Sequence, residues 1–286
     1  IYLTSLRQVN AANITGSNTI NSDSSTQQVY NADDTSLTIT DSSTLSRSGA
    51  APVNINEQDN GTLTINSGST VTSTASNAVQ GKNQSGLTIT NSGTINADGS
   101  KAINLLNAQS STVTNKSGGV IKSNTNTITV TENSGTANNV TINNSGQISA
   151  GASSSGATSN NAIRSEDDTD NVTVVNNIGG HIHNNNTSST ALNAATVFIA
   201  ANSSATLTNS GTIENKGGVD NYAIGLAGDG VTVTLKDDGK VIGKISVAGG
   251  STTAHTIKLQ HGVGQAYFYD IDGSGAYTLQ DLDGNP

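Results

Sequence analysis

Leu87-Thr88-Ile89-Thr90-Asn91-Ser92-Gly93-Thr94-Ile95 returns almost unchanged as Ala205-Thr206-Leu207-Thr208-Asn209-Ser210-Gly211-Thr212-Ile213. Related phrases begin at Leu37, Leu63, Val140, Val172 and Val231, with a degenerate one at Ser111, so the phrase recurs about every 25 residues. A unit this short cannot bury an apolar face alone, and it must stack on its neighbours. The repeats therefore predict a solenoid rather than a globule.

Aligned on the second apolar residue of each phrase, one column reads Ile14, Ile39, Ile65, Ile89, Val113, Ile142, Val174, Leu207, Val233 and Ile257. A second column, beyond a Gly or Ser turn, reads Ile20, Leu45, Val71, Ile95, Ile121, Ile148, Ile182, Ile213 and Val241. A looser third reads Val29, Val53, Val79, Ile103, Ile128, Ile163, Leu192, Ile224 and Val247. Three short strands per turn, each alternating apolar and polar residues and rich in Val, Ile and Thr, describe a three-sided parallel β-helix. The expectation is an all-β, right-handed solenoid of about ten turns. Residues 1–255 form the helix in this reading, and the aromatic-rich segment 256–286 forms a C-terminal cap. Both prolines, Pro52 and Pro286, are expected outside ladder positions. Asn-Ser-Gly at 66–68, 91–93, 133–135, 144–146 and 209–211 is turn chemistry, since Gly and Asn tolerate left-handed backbone. Stacked asparagines can also form ladders between turns.

Composition agrees. Hydrophobic residues are 32% and aromatics 3% of the 286 residues, too few for a conventional core but enough for a stack needing a few apolar side chains per turn. The net charge is −9, from 21 acidic and 12 basic residues, with no Lys/Arg cluster. That composition argues against nucleic acid as a partner. There is no cysteine, hence no disulfide and no thiolate metal site. No signal peptide or transmembrane run stands out, which reads as a mature or excised segment.

Four groups of residues are candidates for function. Glu166, Asp167, Asp168 and Asp170 form the densest charge run, either a solvated loop or a contact for a cation or a basic partner. His181 and His183 flank Ile182 and so share one outward strand face; a metal would need a third ligand. The interval from Ile142 to Leu207 runs to about 32 residues per turn, so 151–161 and 184–190, with Asn185, are expected as surface loops suited to recognition. Thr38, Thr64, Thr88, Thr112, Thr141, Thr173, Thr206 and Thr232 form an expected outward column, with Thr88 and Thr206 as its representatives. Threonine's strand preference explains such a column on any β-helix, while ice-binding β-helices and face-to-face association use the same pattern. No histidine lies beside a Gly-x-Ser-x-Gly elbow, and no catalytic, metal or cofactor site is assigned. Asp270-Ile271-Asp272-Gly273 and Asp281-Leu282-Asp283-Gly284 begin like calcium loops but lack the closing acidic residue.

The Leu-Thr-Ile-Thr-Asn-Ser-Gly-Thr-Ile copies, the Asn/Ser/Thr/Gly bias and the absence of cysteine resemble the passenger regions of bacterial autotransporters. Gly275-Ala276-Tyr277-Thr278-Leu279 resembles the capping segment near the end of such passengers. The resemblance implies export across the outer membrane, display on the bacterial surface, and a membrane barrel C-terminal to residue 286. It implies an adhesin without enzymatic activity, whose partner is a host surface protein or glycan, or another copy of itself. The other readings are a secreted effector, a carbohydrate-active β-helix and an ice-binding one.

Overall fold

The computed structural model describes residues 11–132, 139–151, 160–166, 169–185, 192–200, 204–248, 253–262 and 268–281. The chain visits three parallel sheets in rotation. Among the described residues, sheets A and B each hold eleven strands and sheet C holds eight. Consecutive strands of one sheet are a full coil apart in sequence, which makes the molecule a three-sided parallel β-helix. Most strands are four residues long, with inward Val, Ile or Leu alternating with outward Thr, Ser or Asn, as in Thr62–Ile65 and Thr70–Ser73. The inward residues merge into one continuous apolar column from Ile14 to Ile257. Among the described residues no helix is long and apolar enough to cross a membrane.

The corner leading into sheet B has a fixed construction. Asp34, Asn60, Gly86, Ser110, Asn139, Asn171, Ser204 and Gly230 all have positive φ, and each stands two residues before its strand. The residue that follows, such as Leu87, Val140, Val172, Ala205 or Val231, turns inward and is buried. Asn, Asp and Gly suit the left-handed position because they adopt it at little or no cost.

The register departs from the sequence alignment in sheet B. Ile39 faces Ile65 as expected, but Ile89 faces Leu63, and the partner of Ile65 is Asn91. The Leu-Thr-Ile-Thr phrase thus slides by two residues between the copies at Leu63 and Leu87. A slide of two preserves which residues point inward, so hydrophobic alternation alone does not detect it. Leu87 becomes the buried corner residue, the position that Gly61 occupies one coil earlier. Five other placements also change. Ile14 belongs to sheet A opposite Tyr30, and Ile20 belongs to sheet B opposite Ile39. Val29 faces Asn54, while Gln28 is the partner of Val53. Leu192 starts a short 3-10 turn, Leu192–Ala194, and Val197 takes its place between Ile163 and Ile224. Ile245 rather than Val247 follows Ile224. In sheet C the expected column from Leu45 to Val241 is observed intact.

Pro52 precedes the strand Val53–Asn56, and its carbonyl accepts the Gln28 amide at 2.8 Å; Pro286 lies outside the described residues. The tail enters the stack. His255–Gln260 and Tyr277–Gln280 are the last two strands of sheet B, and Ile271–Gly273 is the last of sheet A. Phe268, Tyr277 and Leu279 are exposed at this end.

Asparagine has a second role, inside the rod. Asn91, Asn115, Asn144, Asn176 and Asn209 occupy one inward position of sheet B and are fully buried. The Nδ2 of each of the first four donates to the Oδ1 one coil on, at 2.9, 2.8, 2.8 and 2.8 Å. The amides also donate to turn carbonyls such as those of Gly119 and Gly146. The series starts against Ile65, which has nothing to donate, and Asn91 Oδ1 is left unpaired. It ends at Leu235, where Asn209 Nδ2 turns to the Lys240 carbonyl at 3.0 Å. The adjoining glycines permit this packing: a Cβ on Gly146 would fall onto the carbonyl oxygen of Gly119. Of the Asn-Ser-Gly turns, 91–93, 144–146 and 209–211 supply ladder asparagines. Asn66 instead is exposed, and 133–135 lies outside the described residues.

Candidate functional site

Sheet B carries the first candidate surface. With the true register, its outer columns differ in membership from those of the sequence alignment. One runs Ser17, Ser36, Thr62, Thr88, Thr112, Thr141, Thr173, Thr206, Thr232, Thr256 and Thr278. Its neighbour runs Thr19, Thr38, Thr64, Thr90, Thr114, Asn143, Val175, Thr208, Thr234, Lys258 and Gln280. Thr88 and Thr206 therefore stand in one column, whereas Thr38 and Thr64 belong to the other. Neither column holds a charge before Lys258. Thr206 donates to Thr173 at 3.2 Å, and Ser36 to Ser17 at 3.3 Å.

The other two faces differ. Sheet C presents Asn96, Lys122, Ser149, His183, Glu214 and Ile242 in one outer column. Sheet A has Asn104, Thr129, Arg164, Phe198, Gly225 and Ser246 in its column, of which Thr129, Phe198 and Ser246 are buried. Threonine also stands outward on sheet C, at Thr44, Thr70, Thr94 and Thr212, but only on sheet B does it run along most of the face, and strand preference acts on all three faces alike.

Sheet C carries a compact polar cluster. His181 and His183 point outward on either side of the buried Ile182, with ring centroids 4.6 Å apart. Glu214 Oε2 lies 2.9 Å from His181 Nε2. His183 is only 3% exposed, because Gln147, Lys216 and His181 close around it. Gln147 Nε2 and Lys216 Nζ lie 2.9 and 3.4 Å from its Nε2. Both are donors, so Nε2 accepts and the ring proton sits on Nδ1. Burial, then the Lys216 ammonium, then His181 push the His183 pKa down to about 4, and Asn185 opposes them. The ring is neutral at neutral pH. Among the described residues no three metal-ligating side chains converge.

Beside this cluster lies a notch of about 180 Å³, lined by Asn96, Asp98, Lys122, Ser123, Asn124, Ser149, Ala150, Gly151 and Asn185. It exists because Ser149-Ala150-Gly151 are small where the coils on either side carry Lys122-Ser123-Asn124 and His183-Asn184-Asn185. Gly151 is needed there, since a Cβ would lie 2.7 Å from the Asn124 Cα. Asparagine side chains tie the neighbouring corner: Asn184 Nδ2 donates to the Ala194 carbonyl at 3.1 Å, and Asn161 Nδ2 to that of Asn193 at 3.0 Å.

The sequence candidates thus divide. His181, His183 and Asn185 meet on sheet C, with Gln147, Glu214 and Lys216 as partners that spacing did not reveal. Those partners come from coils about 25 to 35 residues away, and only the register brings them together. Glu166 is held by Arg164 at 2.6 and 3.0 Å, and the same guanidinium lies 4.8 Å from the Phe198 ring centre. Asp170 sits at the corner before sheet B, its carbonyl accepting the Asn139 amide at 3.3 Å. Asp167, Asp168 and most of 151–161 and 184–190 lie outside the described residues. At the tail, Asp270 pairs with Lys244 at 3.6 Å, and Asp272 accepts the Tyr222 hydroxyl at 3.2 Å.

Comparison of the chain with family models, with curated proteins and with solved structures returns no match.

Proposed function

We propose that the chain is a surface-displayed bacterial adhesin whose sheet B face joins it to a second copy of itself. The observation that carries this reading is the Thr-rich face, whose outer columns hold no charge before Lys258, on a rod of net charge −9. Two such rods repel through their other faces, and on this one they meet without opposed charges. Hydroxyls at a regular spacing of about 4.8 Å repeat on the partner and can pair along the whole length. A face about 50 Å by 13 Å offers roughly 650 Å² per rod, somewhat below a standard stable interface. One pair of rods therefore binds weakly, and many copies on two facing cells bind firmly.

Cells displaying the chain should clump, and Thr112→Lys with Thr173→Lys should disperse them. If display gives neither clumping nor attachment to host cells, the adhesin reading fails. The same threonine array favours ice binding as a second reading. Thermal hysteresis that disappears with Thr88→Tyr or Thr206→Tyr would select it.

A further inference from the structure

We infer that the notch on sheet C is a binding site for one acidic sugar unit, a pyranose carrying a carboxylate. It lies on a different face from the proposed contact between rods and stands independently of it.

The lining decides the chemistry. Among the described residues that line it, Ala150 is the one apolar side chain and none is aromatic, which disfavours an apolar ligand. A peptide adding as an extra strand is excluded, because the sheet C strands around the notch are paired on both edges. What remains is a small polyol. Asp98 supplies acceptors for ring hydroxyls, and Ser149, Asn124 and Asn185 supply groups that both donate and accept. The exposed Lys122 ammonium forms no ion pair among the described residues and suits a carboxylate.

The volume of about 180 Å³ corresponds to about six waters, enough for one sugar ring.

The test is ligand-observed NMR on the whole chain, titrating glucuronate and, separately, glucose. Saturable glucuronate binding is expected, about tenfold tighter than glucose. Lys122→Ala should abolish that preference. Ser149→Arg, which fills the notch from an outward position, should abolish binding of both sugars. Lys116→Ala, in the turn between sheets B and C, should change neither. Equal binding of the two sugars overturns the carboxylate assignment. Absence of binding, or binding unaffected by Ser149→Arg, overturns the site. Circular dichroism of each variant shows whether the rod is intact, and Lys122→Ala, at an exposed position, keeps the test decisive if Ser149→Arg misfolds.

Discussion

Asn144 receives a hydrogen bond from Asn115 and gives one to Asn176, both at 2.8 Å, with no access to water. Such bonds are worth about 1 kcal/mol each when made, and a buried group left unpaired costs about 1–3 kcal/mol. Asn144→Ala should therefore destabilise the rod by roughly 2–4 kcal/mol in denaturant unfolding. Asn66→Ala removes only an exposed 3.1 Å bond to Thr40 and should cost under about 1 kcal/mol. His183 makes the stability depend on pH. Its folded pKa of about 4 lies below the ordinary 6.5, so the unfolded chain takes up the proton first. Stability then falls as pH drops from 6.5 to about 4 and levels off below. His255, also pushed down by burial, adds a slope of the same sign. Thermal unfolding of His183→Gln across this window should show a shallower decline than the parent chain.

Sheet C and sheet B show why some elements were legible and others were not. In sheet C each strand has one large aliphatic residue at the shared position, so Leu45, Val71 and Ile95 align without ambiguity. In sheet B three inward positions follow one another, as in Leu87, Ile89 and Asn91, and the phrase fits equally well when moved by two. The information that fixes it is non-local: the corner residue and the asparagine paired one coil on. Leu192 was misplaced for a similar reason, since a 3-10 turn interrupts the alternation. The notch was illegible because it is made by small residues between larger ones on neighbouring coils. The register can be tested directly because the chain has no cysteine. Thr64→Cys with Thr90→Cys, opposite one another, should oxidise to a disulfide. Thr64→Cys with Thr88→Cys, separated by about 8 Å diagonally, should not, as gel mobility will report.

At the scale of the whole molecule, three faces around one apolar core have separate properties: sheet B Thr-rich with few charges, sheet C charged and notched, sheet A mixed. Local coil-to-coil contacts hold the stack, so surface changes on one face leave the others intact. The association proposed for sheet B is open to sedimentation equilibrium of the purified chain over a wide concentration range. Reversible dimers should appear as concentration rises, disappear in Thr112→Lys with Thr173→Lys, and persist in Gln147→Lys on sheet C. A chain that stays monomeric throughout, or a double-lysine variant that pairs as well as the parent, would contradict it.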